Sequence, residues 1–251
     1  GSVRTLLEDL IDYAGLFPPA KLPLTPAVHN YLEYRGQPES WMLGAFVMPM
    51  ARLAEIDSLA DEMFRADRPF SFSMLGSRAE TSDAWLATMR GEIAGVESFL
   101  EKYGEAVSVP ALEMALPPTA DNEDEIERLV LATTTALDGC RRFSPAVFFE
   151  LTAASDDRQR NLEAATDVLA RVRDTGPAVG YKLRTGGLEA SAFPTVERIA
   201  ATIVACRDAA VPWKATAGLH HPLRSFRDEV STKMHGFVNV LVASTLAHSS
   251  G

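Results

Sequence analysis

The chain has 251 residues, 47% of them hydrophobic, with 24 basic against 34 acidic side chains and a formal net charge of −10. That length suits one large domain, since an α/β barrel alone takes about 250 residues. The acidic balance disfavours a general nucleic-acid binder, which needs clustered Lys and Arg, and two distant cysteines, Cys140 and Cys206, without a C-x-x-C exclude a disulfide scaffold or a thiolate zinc cluster.

No apolar run approaches the ~20 residues that cross a bilayer, and no charged-then-apolar leader opens the chain. Gly1-Ser2 reads as the remnant of an expression tag. A soluble, cytoplasmic globular protein is expected, with no membrane or nucleic-acid partner; a homo-oligomer is left open.

Residues 3–11 read as a short helix and 12–18 (DYAGLFP) as a first strand, with Pro18-Pro19 and Pro23 marking an irregular loop, a lid or a rigid link. Apolar, β-rich runs follow at 42–49 (MLGAFVMP), 70–75 (FSFSML), 107–116 (VSVPALEMAL), 146–152 (AVFFELT), 179–185 (VGYKLRT) and 211–217 (VPWKATA). Each is short and bounded by Gly, Pro or Ser, as a strand buried on both faces should be. Helical stretches lie between them at 51–66, 80–103, 122–137, 156–174 and 190–209. In the first, Leu53, Ile56, Leu59, Ala60, Met63 and Phe64 repeat at helical spacing opposite Glu55, Asp57, Asp61 and Glu62. Asn122 precedes Glu125 by three, a capping arrangement. The closing run 237–243 (FVNVLVA) reads either as a last strand or as the start of a helix reaching Ala247.

Strand-helix alternation with short links demands parallel strands and right-handed crossovers. An open doubly wound sheet and a (β/α)8 barrel both satisfy this. No GxGxxG follows the early strands, so a dinucleotide-binding sheet lacks support. The charged residues sit late in the strands, as in a barrel whose active site gathers at strand C-termini. The expected fold is therefore α/β, a single (β/α)8 TIM-barrel domain over 1–251 with an N-terminal helical extension.

Two lysines embedded in apolar strands carry the chemistry. Lys182 and Lys214 are 32 residues apart, one strand-helix repeat, and so occupy equivalent depths on adjacent strands. Burying an ammonium is costly unless it is paired or neutralised. Burial and mutual repulsion push at least one lysine toward neutrality at physiological pH. A neutral amine attacks a carbonyl to form a Schiff base, which draws electrons from the neighbouring carbon without metal or coenzyme. Glu113 and Glu150 lie at comparable positions on their strands. Side chains two apart share a face, so Glu150 goes with Phe148 and Thr152, and Lys182 with Arg184. With those faces inward, the mouth holds Glu113, Glu150, Lys182, Arg184 and Lys214, and a carboxylate there can shuttle protons.

These residues resemble deoxyribose-phosphate aldolase and related class I, Schiff-base aldolases on the TIM barrel. Lys182-Leu183-Arg184-Thr185-Gly186-Gly187 matches the Lys-x-x-Thr-Gly motif of that family's sixth strand, which carries the Schiff-base lysine. Lys214-Ala215-Thr216-Ala217-Gly218, with Arg224 further on, is similar to its seventh strand, while Glu113 and Glu150 match its fourth- and fifth-strand acids. Ile11-Asp12-Tyr13 resembles its first strand. The loop Leu219-His220-His221-Pro222-Leu223-Arg224 departs from the family, and no Gly-Ser cluster follows near Phe237 to cradle a phosphate. The resemblance implies a divergent lyase acting on another small carbonyl substrate, for cleavage or formation of a C–C bond. Lys182 would be the nucleophile, Lys214 the charge that lowers its pKa, and Glu113, directly or through water, the acid/base. Glu150, Arg184, Thr185, Thr216, His220 and Arg224 would bind substrate. No cofactor or metal is implied.

Two rival readings use the same residues. One is a metal-assisted isomerase or hydrolase built on His220, His235, Glu113 and Glu150, without HxH or HExxH spacing behind it. The other is a non-catalytic barrel whose charged mouth holds an anionic metabolite. Asp12 and Tyr13 read more simply as turn residues than as mouth residues, Ser73 and Ser108 as plain strand residues, and Cys206 as a buried small apolar side chain.

Overall fold

The computed structural model describes residues 2–64, 68–152, 158–173 and 176–249. In chain order it contains α1 (Ser2–Leu7), β1 (Ile11–Tyr13), α2 (Leu24–Arg35), β2 (Leu43–Pro49), a 3-10 run (Met50–Ser58) leading into α3 (Ala60–Met63), β3 (Phe70–Leu75) and α4 (Ser82–Tyr103). Then come β4 (Val107–Ala115), α5 (Glu123–Asp138), β5 (Ala146–Glu150), α6 (Arg158–Val172), β6 (Val179–Arg184), α7 (Val196–Asp208), β7 (Trp213–Thr216), β8 (Ser225–Arg227), β9 (Thr232–Met234) and α8 (Phe237–Ser249).

β1 to β7 form one sheet in sequential order, every neighbouring pair parallel. Alternation decides the two faces. One face carries Phe46 and Met48, Phe70, Phe72 and Met74, Leu112 and Met114, Val147 and Phe149, Tyr181 and Leu183, all buried. These pack under the helices: Tyr31 of α2 meets the rings of Phe46 and Phe70, and Phe99 of α4 meets Phe72. Trp85 of α4 donates from Nε1 to the Ala115 carbonyl at 2.8 Å, which satisfies its one polar atom. Each such side chain contributes roughly 1.5–3 kcal/mol through burial, so this outer layer stabilises the strands and leaves the inner face free for polar groups.

The sheet curls into an unclosed, barrel-like layer rather than the expected closed TIM barrel. Its two ends face each other, since Lys214 of β7 donates to Asp12 of β1. Among the described residues, however, no backbone pairing joins β1 to β7 and no eighth strand enters the sheet. Residues 237–243 begin α8, the helical alternative for that segment. Its apolar residues run without a period of two, and its first turn is anchored by backbone bonds from Phe237, Val238 and Val240 to His221, Pro222 and Gly236. Arg207 of α7 then holds the Ala247 carbonyl at 3.0 Å.

Other boundaries shift for local reasons. The first strand covers 11–13 rather than 12–18, because Phe17 and Leu22 fold back onto Ala14 and Gly15. The proline-rich segment after it leads into α2, whose buried Leu24, Ala27, Val28 and Tyr31 follow helical spacing. Pro26 sits in the first turn, where a missing N–H costs nothing. The stretch 51–66 shares its span between the 3-10 run and α3, since i,i+3 spacing suits both helix types. Its end at 65–66, like residues 153–157 and 174 around α6, lies outside the described residues. Residues 190–192 form a separate 3-10 turn ahead of α7, and the loop after β7 folds as the β8–β9 hairpin. Asn122 caps α5 by accepting from the Glu125 N–H at 3.0 Å, as its spacing predicts. No described helix is long and apolar enough to cross a membrane.

Candidate active site

Register sets the rows of the inner face. Glu150, Lys182 and Lys214 pair directly across β5, β6 and β7 and so stand side by side. Glu113, Phe148 and Gly180 form the row one layer deeper. Gly180 has to lack a side chain there, because a Cβ would lie 2.8 Å from the Phe148 ring and 2.6 Å from the Pro212 carbonyl oxygen. The Phe148 ring in turn sits 5.8 Å from Lys214 Nζ, a cation–π contact.

Both lysines reach toward Glu113, which is only 3% exposed. Lys182 Nζ lies 2.9 Å from one carboxylate oxygen, and Lys214 Nζ donates to the other at 2.7 Å. Ser73 completes this contact, donating to Glu113 at 2.8 Å while accepting from Lys214 at 3.2 Å. Lys214 also donates to Asp12, whose second oxygen accepts from the Ala45 N–H at 2.7 Å. On the far side, Lys182 Nζ is 3.0 Å from Glu150, and Glu150 accepts from Arg78 at 2.8 Å. Arg78 rides on the loop after β3, which Glu92 pins by accepting from the Ser77 N–H at 3.0 Å and its hydroxyl at 2.6 Å. The result is an alternating chain, Asp12–Lys214–Glu113–Lys182–Glu150–Arg78, in which every charge has an opposite neighbour. That alternation is what makes the burial tolerable.

The electrostatics follow from the geometry. Burial opposes ionisation of Glu113 more than any other single influence, yet the fields and hydrogen bonds of Lys182 and Lys214 together bring its pKa down to about 2. Burial likewise disfavours the Lys214 ammonium, but Glu113 and Asp12 outweigh it and hold that lysine above its ordinary value. Repulsion between the two ammonium groups is therefore intercepted by the carboxylate between them.

The structure brings Lys182, Lys214, Glu113 and Glu150 together. Arg184 shares the Lys182 face, one row nearer the open end; it is exposed, and its Nε donates to the Gly186 carbonyl at 2.9 Å. Thr185 is buried, with its hydroxyl given to the Thr216 and Ala217 carbonyls, so it ties β6 to β7. The glycines after each lysine serve the same junction, since a Cβ on Gly186 would lie 2.6 Å from Gly218 Cα. Thr216 stands in register with Arg184 and is half-buried.

His220 and Arg224 lie exposed on the following loop, and no hydrogen bond or ion pair joins either to the cluster among the described residues. Partial desolvation of its ring by the surrounding loop, with the charge of His221 adding to it, lowers the His220 pKa. His235 is buried with Nε2 2.6 Å from the Pro194 carbonyl oxygen. Among the described residues no three of His, Cys, Asp and Glu are grouped so as to hold a metal ion. Cys206 is buried, and burial pushes its thiol up to about 12.

Three residues of the site, Asp12, Ser73 and Arg78, were not among those expected. Asp12 and Ser73 carried a signal in their period-two alternation with Ile11 and Tyr13, and with Phe72 and Met74. Arg78, in a loop, carried none. No protein-family model matches this sequence, and no curated protein matches it either.

Proposed function

We propose that this chain is a class I, imine-forming lyase, a divergent relative of the deoxyribose-phosphate aldolases acting on a small carbonyl compound without a cofactor. The observation that carries the reading is the sharing of one buried carboxylate, Glu113, by lysines from adjacent strands. Lys182 is the nucleophile and must first lose a proton, with Glu113 at 2.9 Å and Glu150 at 3.0 Å to take it. Loss of that charge removes one of the two cations that keep Glu113 acidic, so Glu113 becomes more basic as Lys182 becomes neutral. The exchange is coupled, and Lys214, held charged by Asp12, keeps the carboxylate in place throughout.

The amine then attacks the carbonyl carbon, the acid protonates the departing hydroxyl, water leaves, and a protonated imine remains. In cleavage, Glu113 takes the proton of the hydroxyl on the β-carbon, directly or through water. The bond between the α- and β-carbons breaks, its electron pair passes into the imine as an enamine, and an aldehyde departs. Protonation at the α-carbon and hydrolysis release the second product and the free lysine. Synthesis is the same sequence reversed. Arg184, one row toward the open end, orients the substrate.

Borohydride reduction in the presence of small aldehydes and ketones, followed by peptide mass analysis, tests this. A reduced adduct is expected on Lys182 and is expected to vanish in Lys182→Ala. An adduct that persists in that variant overturns the assignment. A second reading, a barrel that binds an anionic metabolite without reacting, draws on the complete compensation of the charge chain. Saturable binding of a carbonyl compound with no reducible adduct would favour it.

A further inference from the structure

α8 departs from the other helices that cover the sheet. A helix packed on one side keeps its apolar residues there and turns charged ones to water. α5 follows that rule, burying Ile126, Leu129, Val130 and Leu137 while Glu123, Asp124 and Arg128 stand exposed. α8 carries no Asp, Glu, Lys or Arg, and Val240 is its one buried residue. It packs on α7, with Ser244 and Ala247 half-buried beside Val240. Val242 and Leu246, four apart on the opposite side of the helix, are exposed where charged residues would be expected.

The start of the helix extends this surface. The loop from Pro222 to Arg224 is tied to its first turn, Val238 donating to the Pro222 carbonyl at 3.1 Å and the Arg224 N–H to Asn239 Oδ1 at 2.8 Å. Leu223 in that loop, Phe226 of β8, Phe237, Val242 and Leu246 are each between 41% and 60% exposed. Together they present roughly 500 Å² of apolar surface, given that a large ring alone buries roughly 150–250 Å². That is the apolar share of one side of an ordinary homodimer interface, roughly 65% of ~800 Å².

Charge selects what covers this face. With a net charge of −10, two copies repel one another at long range. α8 has no charge to desolvate, so copies meet there without that cost. A twofold contact requires a face that matches itself. Antiparallel pairing of α8 with α8 satisfies this. It also sets the positive start of each helix, with Arg224 beside it, against the negative end of the other. Thirteen residues span only about 20 Å, too short to cross a bilayer, and they lack the Lys and Arg of a helix that lies on lipid.

We propose that α8 is a dimer contact, covered by α8 of a second copy in an antiparallel pair, with Leu223 and Phe226 extending the interface. This stands apart from the imine reading above, since α8 and the hairpin contribute nothing to the charge chain.

Sedimentation equilibrium of the full chain at micromolar concentration tests it. A mass twice 27.2 kDa is expected. Val242→Glu and Leu246→Glu, each at an exposed position, are expected to keep the native circular dichroism and to weaken dimerisation about a hundredfold or more. Leu131→Glu, at a comparably exposed apolar position on α5, is expected to leave the dimer unchanged. A monomer throughout overturns the proposal, even one whose α8 is then found covered by a different protein. A dimer that both α8 variants leave intact overturns it too, because the contact then lies elsewhere. Failed borohydride trapping beside an α8-dependent dimer removes the lyase and leaves the interface; a monomer that still forms the imine does the reverse.

Discussion

Replacing Glu113 by Gln keeps the shape of the side chain and removes the charge that two lysines share. The native carboxyl is brought from 4.5 to about 2 by Lys182 and Lys214. At about 1.4 kcal/mol per unit, that depression corresponds to roughly 3 kcal/mol of native-state stabilisation. The same size, about 3–5 kcal/mol, is typical of breaking a buried pair so that its partner charges stay behind. Glu113→Gln is therefore expected to lose about 3 kcal/mol in urea unfolding at neutral pH, with the slope against denaturant unchanged. The pH dependence has a definite sign. A depressed folded-state pKa stabilises above the unfolded value of 4.5, and that contribution drains away as pH falls toward about 2. The gap between wild type and variant should accordingly narrow below 4.5. Added salt should change it little, because the pairs are buried. A loss under about 1 kcal/mol at neutral pH, or a gap that stays constant into acid, would refute the assignment of the shift to the lysines.

Asp12 and Lys214 are the side-chain link between the first and last strands of the sheet. A double-mutant cycle with Asp12→Asn and Lys214→Met should give a coupling energy of about 1–3 kcal/mol in equilibrium unfolding, whereas additive effects would deny that this link matters. Gly180→Ala places a Cβ 2.6 Å from the Pro212 carbonyl oxygen and 2.8 Å from the Phe148 ring. It should cost about 1–3 kcal/mol in thermal or urea unfolding, since backbone cannot rotate aside, and an unchanged midpoint would contradict the packing described.

The strands from 42 to 217 were legible because they are short apolar runs whose patterns are local. The Lys182–Lys214 pairing was legible for a related reason: a repeat of one strand and one helix preserves depth along the sheet, and the register pairs them directly. Glu113 and Glu150 followed from strand alternation. Asp12 was harder, because an Asp in a three-residue strand looks the same as one in a turn. Arg78 could not be found, since a loop carries no period and Glu92, which pins its neighbour Ser77, lies on the next helix. His220 and Arg224 stand near Lys214 in sequence but fall on a loop outside the charge chain.

Periodicity and composition were enough to establish the alternating elements, the parallel order and the face on which each charged strand residue lies, because each depends on neighbours a few positions away. Whether the sheet closes depends on its accumulated curl and on the competition between strand and helix at 237–249, which α8 wins. Which oxygen of Glu113 faces which lysine, and that Asp12 and Arg78 terminate the chain of charges, depends on side chains as far apart as residues 12 and 214 meeting in space. Coulomb interactions of that kind act through distance in the folded molecule, and distance along the sequence says nothing about them.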